Sequence, residues 1–326
     1  MQPQDRRAFM TVLAAGLGAL PTLGLSQPAA WPSRPVKLIV PAAAGGASDR
    51  LGRMLAPDFL KALGQPLVVE NRAGAGSTLG TGAVASAPAD GYTLLLSGVF
   101  NSIGAGLYKL KYDFLRDFVQ VAPLAFGPNV LVARPDFPAD NLAQLVAHAK
   151  AQPGALNFAS GGVGTSGHLT MEMFQHAANI RLTHVAYKGG APALQDVLAG
   201  VTPLMPVNQD AALPYIKAGK LKALAVSSAQ RNAAYPNVPT FVEAGYADVV
   251  AMSWGGVAAP KGTPPQVVEK LRAVVQTALQ RPEIRASLEA DGWVVPHMTP
   301  AEFDTFVRSD SARMLRIIRD SNISAE

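Results

Sequence analysis

Four short loops built from glycine and hydroxyl-bearing residues each follow an apolar run and lead into a helical pattern, and they restrict the possible folds more than any other feature. They are Ala44-Gly45-Gly46-Ala47-Ser48-Asp49, Ala73-Gly74-Ala75-Gly76-Ser77-Thr78, Ser160-Gly161-Gly162-Val163-Gly164-Thr165-Ser166-Gly167-His168 and Tyr187-Lys188-Gly189-Gly190. Strands that repeatedly feed helices through tight loops build a parallel sheet with helices on its faces. The same loops also favour one kind of chemistry. The first turn of a helix leaves backbone N–H groups without partners and carries about half a positive charge, and glycine lets an anion approach them. A chain that repeats the device is suited to holding a carboxylate or a phosphate through amides and hydroxyls.

Apolar periodicity fills in the elements. Lys37 to Pro41 reads as a strand, and Asp49 to Leu63 as a helix with Leu51, Leu55, Phe59 and Leu63 along one drifting face, stopped by Gly64. Strand Leu67 to Glu70, helix Ser77 to Ala87 and strand Tyr92 to Leu96 complete a first block. A second block reads helix Leu142 to Ala151, strand Leu156 to Ala159, helix His168 to Ala178, strand Thr183 to Tyr187, helix Ala191 to Ala199 and strand Leu221 to Ser227. Between them Val119 to Val132, apolar but broken by Pro123, Gly127 and Pro128, reads as an extended crossover. Past Ser227 few new strands are expected. Val267 to Leu279, Glu283 to Asp291 and Pro300 to Asp320 read as amphipathic helices with prolines at their starts. The pattern predicts two α/β lobes joined by crossing strands, the C-terminal helices returning to the first, and a ligand cleft between them. Lobe 1 is expected to comprise residues 31–127 and 228–326, and lobe 2 residues 128–227.

The first thirty residues read as a targeting segment. Asp5-Arg6-Arg7-Ala8-Phe9-Met10 is a twin-arginine pattern, and an uncharged stretch rich in small residues runs from Ala8 to Leu25. Cleavage after residues 1–30 would leave a mature chain beginning near Trp31, in the periplasm. A permanent membrane anchor is the competing reading, but its Ala, Gly and Pro21 make a weak span. Of the 326 residues 49% are hydrophobic and 16% charged, enough apolar surface for a large core. The net charge of +5 is scattered rather than gathered in a stripe, so nucleic acid is not the expected partner. Cysteine is absent, which excludes disulfides, thiolate nucleophiles and cysteine-based zinc sites.

Enzymatic readings find little support. Gly74-Ala75-Gly76-Ser77-Thr78-Leu79-Gly80 places its third glycine one position late for a dinucleotide fingerprint, and Ser97-Gly98 stands where the ribose-binding acid belongs. No Gly-Lys-Ser/Thr triplet offers a phosphate-binding loop. Ser166 misses the nucleophile-elbow spacing, and none of the histidines has a local carboxylate partner of the hydrolase kind. His168, Glu172 and His176, spaced by four, would turn about 80° over two helical turns and converge poorly on a metal. Neither a metal nor a cofactor is expected. Asp49 and Arg53 form an i,i+4 pair at a helix start, Tyr187-Lys188 offers a flat wall and a charge, and Trp254 reads as core or hinge packing.

Six ordered blocks then carry a resemblance. Trp31-Pro32-Ser33-Arg34-Pro35-Val36-Lys37-Leu38-Ile39-Val40-Pro41 precedes Gly45-Gly46-x-x-Asp49-x-x-x-Arg53. Val69-Glu70-Asn71-Arg72-Ala73-Gly74-Ala75-Gly76 and Pro88-Ala89-Asp90-Gly91-Tyr92-Thr93-Leu94 follow. Ser160 to Leu169, His184-Val185-Ala186-Tyr187-Lys188-Gly189 and Pro239-Thr240-x-x-Glu243-Ala244-Gly245 complete the series. From about Trp31 onward the chain resembles the Bug (Bordetella uptake gene), or tripartite tricarboxylate transporter, substrate-binding family. The resemblance implies a two-lobed periplasmic binding protein of the type II-like α/β fold, with the ligand cleft between lobes. It implies a monomer that captures a small carboxylate and delivers it to the membrane permease subunits of a tripartite transporter, or, as a sensor partner, to a kinase. Binding roles carry over to Gly45, Gly46, Ser48 and Asp49 in the first loop, and to Ser160, Gly162, Thr165, Ser166 and His168 in the second lobe. Ala44, Ser97, Tyr187 and Asn208 complete the expected ligand-binding set. Asp49 and His168 are expected at helix N-termini facing the cleft. The chain departs from the family at Val201 to Asp210, where two prolines and no acid precede Asn208. A less charged far wall would suit an apolar or aromatic acid better than a citrate-like polyanion.

Overall fold

The computed structural model describes residues 31–324. In chain order, β1 (Val36–Val40), α1 (Ala47–Arg53), α2 (Ala56–Leu63), β2 (Leu67–Asn71), α3 (Thr78–Ala85), β3 (Thr93–Gly98), α4 (Val99–Leu107) and α5 (Phe114–Asp117) lead to the long strand β4 (Phe118–Ala133). There follow α6 (Leu142–Ala151), β5 (Asn157–Ser160), α7 (Ser166–Ala178), β6 (Thr183–Ala186), α8 (Gly190–Ala199), β7 (Leu204–Asn208), α9 (Gln209–Lys217) and β8 (Lys222–Val226). The chain ends with β9 (Met252–Pro260), α10 (Pro265–Gln280), α11 (Pro282–Ala290) and α12 (Pro300–Asp320). The export signal expected at residues 1–30 lies outside the described residues.

The strands lie in the order β2-β1-β3-β9-β4-β7-β5-β6, with β8 also paired to β4. β4 divides the sheet: Phe118 to Pro128 pair with β9, whereas Asn129 to Ala133 pair with β7 and β8. The result is two α/β lobes that share one strand. Alternate residues of each strand face opposite helical layers. Leu38 and Val40 meet Leu55, Phe59 and Leu271 under α1, α2 and α10, while Ile39 and Leu95 meet Ile103, Phe303 and Val307 under α4 and α12. In the second lobe Leu131 packs with Phe158 and Phe174, and Val130 and Val132 with Leu194, Val207 and Leu213. Burial on both faces explains why these strands read as unbroken apolar runs.

Several elements depart from the sequence pattern, each for a local reason. The helix expected over Asp49 to Leu63 breaks into α1 and α2, because Pro57 has no N–H to return to the turn before it. β4 tolerates Pro123 beside an irregularity in its register, and Arg272 of α10 donates to the nearby Val121 carbonyl at 2.9 Å. Leu204 to Asn208, which the prolines mark as irregular, is a strand. Pro206 opposes Leu131 of β4, and on its other side α7 packs against its carbonyl. β9 was not expected at all. Its glycines and alanines give little strand propensity, and it is held by burial between β3 and β4. Between β8 and β9, Phe241 and Val249 sink into the cluster around Phe174, and the Phe241 N–H donates to Val226. Phe241 and Val249 thus pack with the second lobe, while Asn232 donates to the Gly292 carbonyl at 2.8 Å and the Val250 carbonyl accepts from Arg313 of α12. Residues 228–251 therefore touch both lobes before the chain rejoins the first at Met252.

Candidate functional site

β1, β3, β5 and β7 all end near one another, at Val40, Gly98, Ser160 and Asn208, and from each the chain passes into a helix. They gather around three residues of β9, Ser253-Trp254-Gly255. Gly98, at the start of α4, pairs with Gly255, and Leu51 of α1 lies so close that a Cβ on Gly255 would sit 2.9 Å from it. Ser253 Oγ is 2.9 Å from Ser166 Oγ, on the first residue of α7, and donates at 2.9 Å to Asn208 Oδ1 at the head of α9. Ser166 Oγ also donates to Asn129 Oδ1 at 3.2 Å, exactly where β4 changes lobes, and the buried Asn129 amide reaches Thr170. Three helix starts, those of α4, α7 and α9, and a chain of hydroxyls and amides therefore meet at the crossing between lobes, with α1 packed beside them. Partial positive charge and short polar side chains are what a small anion requires.

The first glycine loop is open where the pattern suggests. Ala44, Gly45 and Gly46 are exposed, Gly45 adopts φ +82°, and no atom lies within 4 Å of where its Cβ would be. Ser48 is half-buried in the first turn of α1. Asp49 does not face outward. Its buried carboxylate accepts from the Gly45 N–H at 2.8 Å and from Arg53 Nε at 3.0 Å, so it closes the loop from within. The Arg53 hydrogen bond holds its carboxyl below the usual range despite the opposing effect of burial.

In the second lobe the loop after β5 is braced in the same way. Thr165 caps α7, accepting from the His168 N–H at 3.4 Å and donating to the Gly162 carbonyl at 2.8 Å. Ser160 is fully buried and its Oγ accepts from the Gly162 N–H at 3.1 Å and lies 2.6 Å from His184 Nε2. His168 is turned inward rather than toward the cleft. Its Nδ1 accepts from the Gly164 N–H at 3.1 Å, its Nε2 lies 3.5 Å from Glu172, and its ring stacks on His184 with centroids 3.8 Å apart. Burial, helped by His168, lowers the His184 pKa to about 4. Ser97 is buried with its Oγ donating to Gln120, and Tyr187 donates to Asp196. Asp49, Ser97, Ser160, His168 and Tyr187 thus hold loops in shape through partners within the protein. Ala44, Gly45, Gly46 and Ser48 lie on the first jaw, and Ser166 and Asn208 at the crossing.

Four residues of the site have no signal in the spacing. Ser253 and Asn129 matter because sheet register brings them together. The other two form an ion pair between lobes: Arg50 of α1 binds the carboxylate of Asp210 in α9. Only their places beside Asp49 and Asn208 could have drawn attention to them. A separate hollow of about 540 Å³, walled by Arg134, Gln195, Tyr215 and Lys220, lies at the far end of the second lobe. Its arginine is already held by Asp136 at 2.8 and 2.9 Å.

Known proteins share this fold. Residues 51–323 match the family described as tripartite tricarboxylate transporter family receptor. Protein BugT of Bordetella pertussis is 38% identical over 319 residues, spanning 96% of this chain and 98% of its own. A solved Rhodopseudomonas palustris protein with adipate superposes with a TM-score of 0.83 at 32% identity, covering 90% of this chain and 99% of that one. MatC from the same organism, with bound malate, gives a TM-score of 0.81 at 32% identity, covering 88% and 100%.

Proposed function

Since the chain belongs to the tripartite tricarboxylate transporter receptor family, we propose that it captures a small carboxylic acid between its lobes and delivers it to membrane permease subunits. It is a substrate-binding protein and not an enzyme. The observation that most supports carboxylate capture is the meeting of three helix starts, those of α4, α7 and α9, around Ser253 to Gly255. The acid would lie between the exposed first loop, Ala44 to Ser48, and the polar crossing formed by Ser166, Asn208 and Ser253. Asp49, Ser160, Gly162, Thr165 and His168 would hold the jaws in shape, with Ser97 and Tyr187 behind them. The adipate and malate of the two neighbours are consistent with this class of ligand.

Closure of the lobes is part of this proposal. Residues 31–127 with 252–324 would move as one body against 128–251, pivoting on β4 and the start of β9, with the protein acting as a monomer. Calorimetric titration with a panel of mono-, di- and tricarboxylates, paired with small-angle scattering, tests both ideas. We expect at least one acid to bind unchanged and to reduce the radius of gyration. A flat panel, or conversion of a ligand, would sink the proposal.

The protein works outside the cytoplasm, as its family does, and no helix among the described residues is long and apolar enough to cross a membrane. Export through the twin-arginine route, with cleavage before Trp31, is proposed from Arg6-Arg7 and the uncharged stretch after them. Intact mass of the protein recovered from the periplasm checks it. A chain that keeps residues 1–30 would count against cleavage.

A further inference from the structure

The Arg50 and Asp210 pair is the one salt bridge among the described residues that joins the two lobes. Arg50 extends from α1, one residue beyond the acid that closes the first loop, and its guanidinium also reaches the Gly45 carbonyl at 3.5 Å. It therefore sits beside the jaw assigned to the ligand. Its side chain is 53% exposed, whereas that of Asp210 is 3% exposed. The two partners are unequal: the arginine is in contact with water and the carboxylate is not.

The surroundings of Asp210 make that carboxylate demanding. Its Oδ1 is buried without a hydrogen-bond partner. Tyr235, whose hydroxyl donates to the Gln209 carbonyl, and Asp291 are the neighbours that feel its charge. Burial, with Asp291 adding to it, raises the Asp210 pKa, and Arg50 opposes that shift. Arg50 thus supplies the compensation that keeps a buried carboxylate ionised. It is not a free cation at the mouth of the cleft. A ligand with a second carboxylate would have to take Arg50 from Asp210 and leave two acids facing each other. A ligand with a neutral far end asks nothing of the pair.

We propose that Asp210, acting through Arg50, is a specificity-determining residue: it admits acids whose far end is uncharged and turns away a second carboxylate. This rests on the cleft being a carboxylate site, and it names which carboxylates. Pro206 and Val207, just before Asn208, carry no charge, which leaves the charge balance of this wall to Asp210 and Arg50.

The test uses two matched trios of acids in calorimetric titrations of the mature protein. One is hexanoate, its ω-hydroxy derivative and adipate; the other is benzoate, para-hydroxybenzoate and terephthalate. In the wild type the monoacids and hydroxy acids should bind about three- to fivefold more tightly than the diacids, the order expected for one half-exposed charge pair. Asp210→Asn frees Arg50 and should close or reverse that gap. Arg50→Gln, on the exposed partner of the pair, removes the cation a second carboxylate would have to capture and should widen it, which gives the test a second arm if the first variant fails to fold. Acids that bind with the same ratio of monoacid to diacid in all three proteins would overturn the role of Asp210 while leaving carboxylate capture standing. Failure of every acid to bind any of the three proteins would overturn carboxylate capture itself, and this proposal with it.

Discussion

His184 shows how a residue outside the ligand's reach can govern the site. It lies opposite Phe158 in the parallel pairing of β5 and β6, which stacks its ring between Phe158 and His168 and sets its Nε2 against Ser160. The folded protein holds it neutral down to about pH 4, whereas the unfolded chain takes up the proton near 6.5. The unfolded state therefore binds more protons between those values, and stability must fall as the pH is lowered from about 6.5 to about 4. Asp49 acts in a different window. Its folded pKa is depressed, so its contribution is present above 3.8 and is lost only as the pH falls below that value. Urea unfolding across the range separates them: His184→Gln should flatten the wild-type slope between pH 6.5 and 4, and an unchanged slope would remove His184 as its source. The sequence made the Asp49 and Arg53 pair legible, since four residues on a helix are neighbours by geometry. It could not show the histidine stack, because sheet register, and not spacing, brings residues 168 and 184 together.

Among the elements, α6 and α12 were the most legible, beginning and ending where periodicity placed them, with Asn141 and Thr299 as side-chain caps, whereas α4, α5 and α9 were not read from the sequence at all. β7 and β9 were hidden for the same reason in two guises: proline and glycine depress strand propensity, and tertiary burial overrode it. The packing of α7 on β7 shows how close the fit is. A Cβ on Gly167 would stand 2.4 Å from the Pro206 carbonyl oxygen, a backbone atom that cannot swing away. Helix propensity alone would have Gly167→Ala stabilise α7 by about 1 kcal/mol. The clash should outweigh it, with a net loss of about 1–3 kcal/mol in urea unfolding, the usual range for overpacking. A variant more stable than wild type would mean that α7 is free to shift away from β7.

On the scale of the whole molecule, the alternation of strand and helix was enough to predict two lobes and a cleft. It was not enough to assign residues 228–251, whose attachment through Phe241 and Val249 carries no periodic signal. Nor did it reveal how the lobes are coupled. Ser253 Oγ stands between Ser166 and Asn208 at equal distances of 2.9 Å, on the strand that re-enters the first lobe. A hydroxyl both donates and accepts, and it rotates about a single bond. A small swing of one lobe can therefore exchange one partner for another without leaving either group bare. Such a pivot behaves as a bearing rather than a spring: it stores little energy in any one position. If the lobes close as proposed, the resting angle would be left to weak forces between the jaws, and an acid held there would need only a modest preference for the closed form to keep it shut.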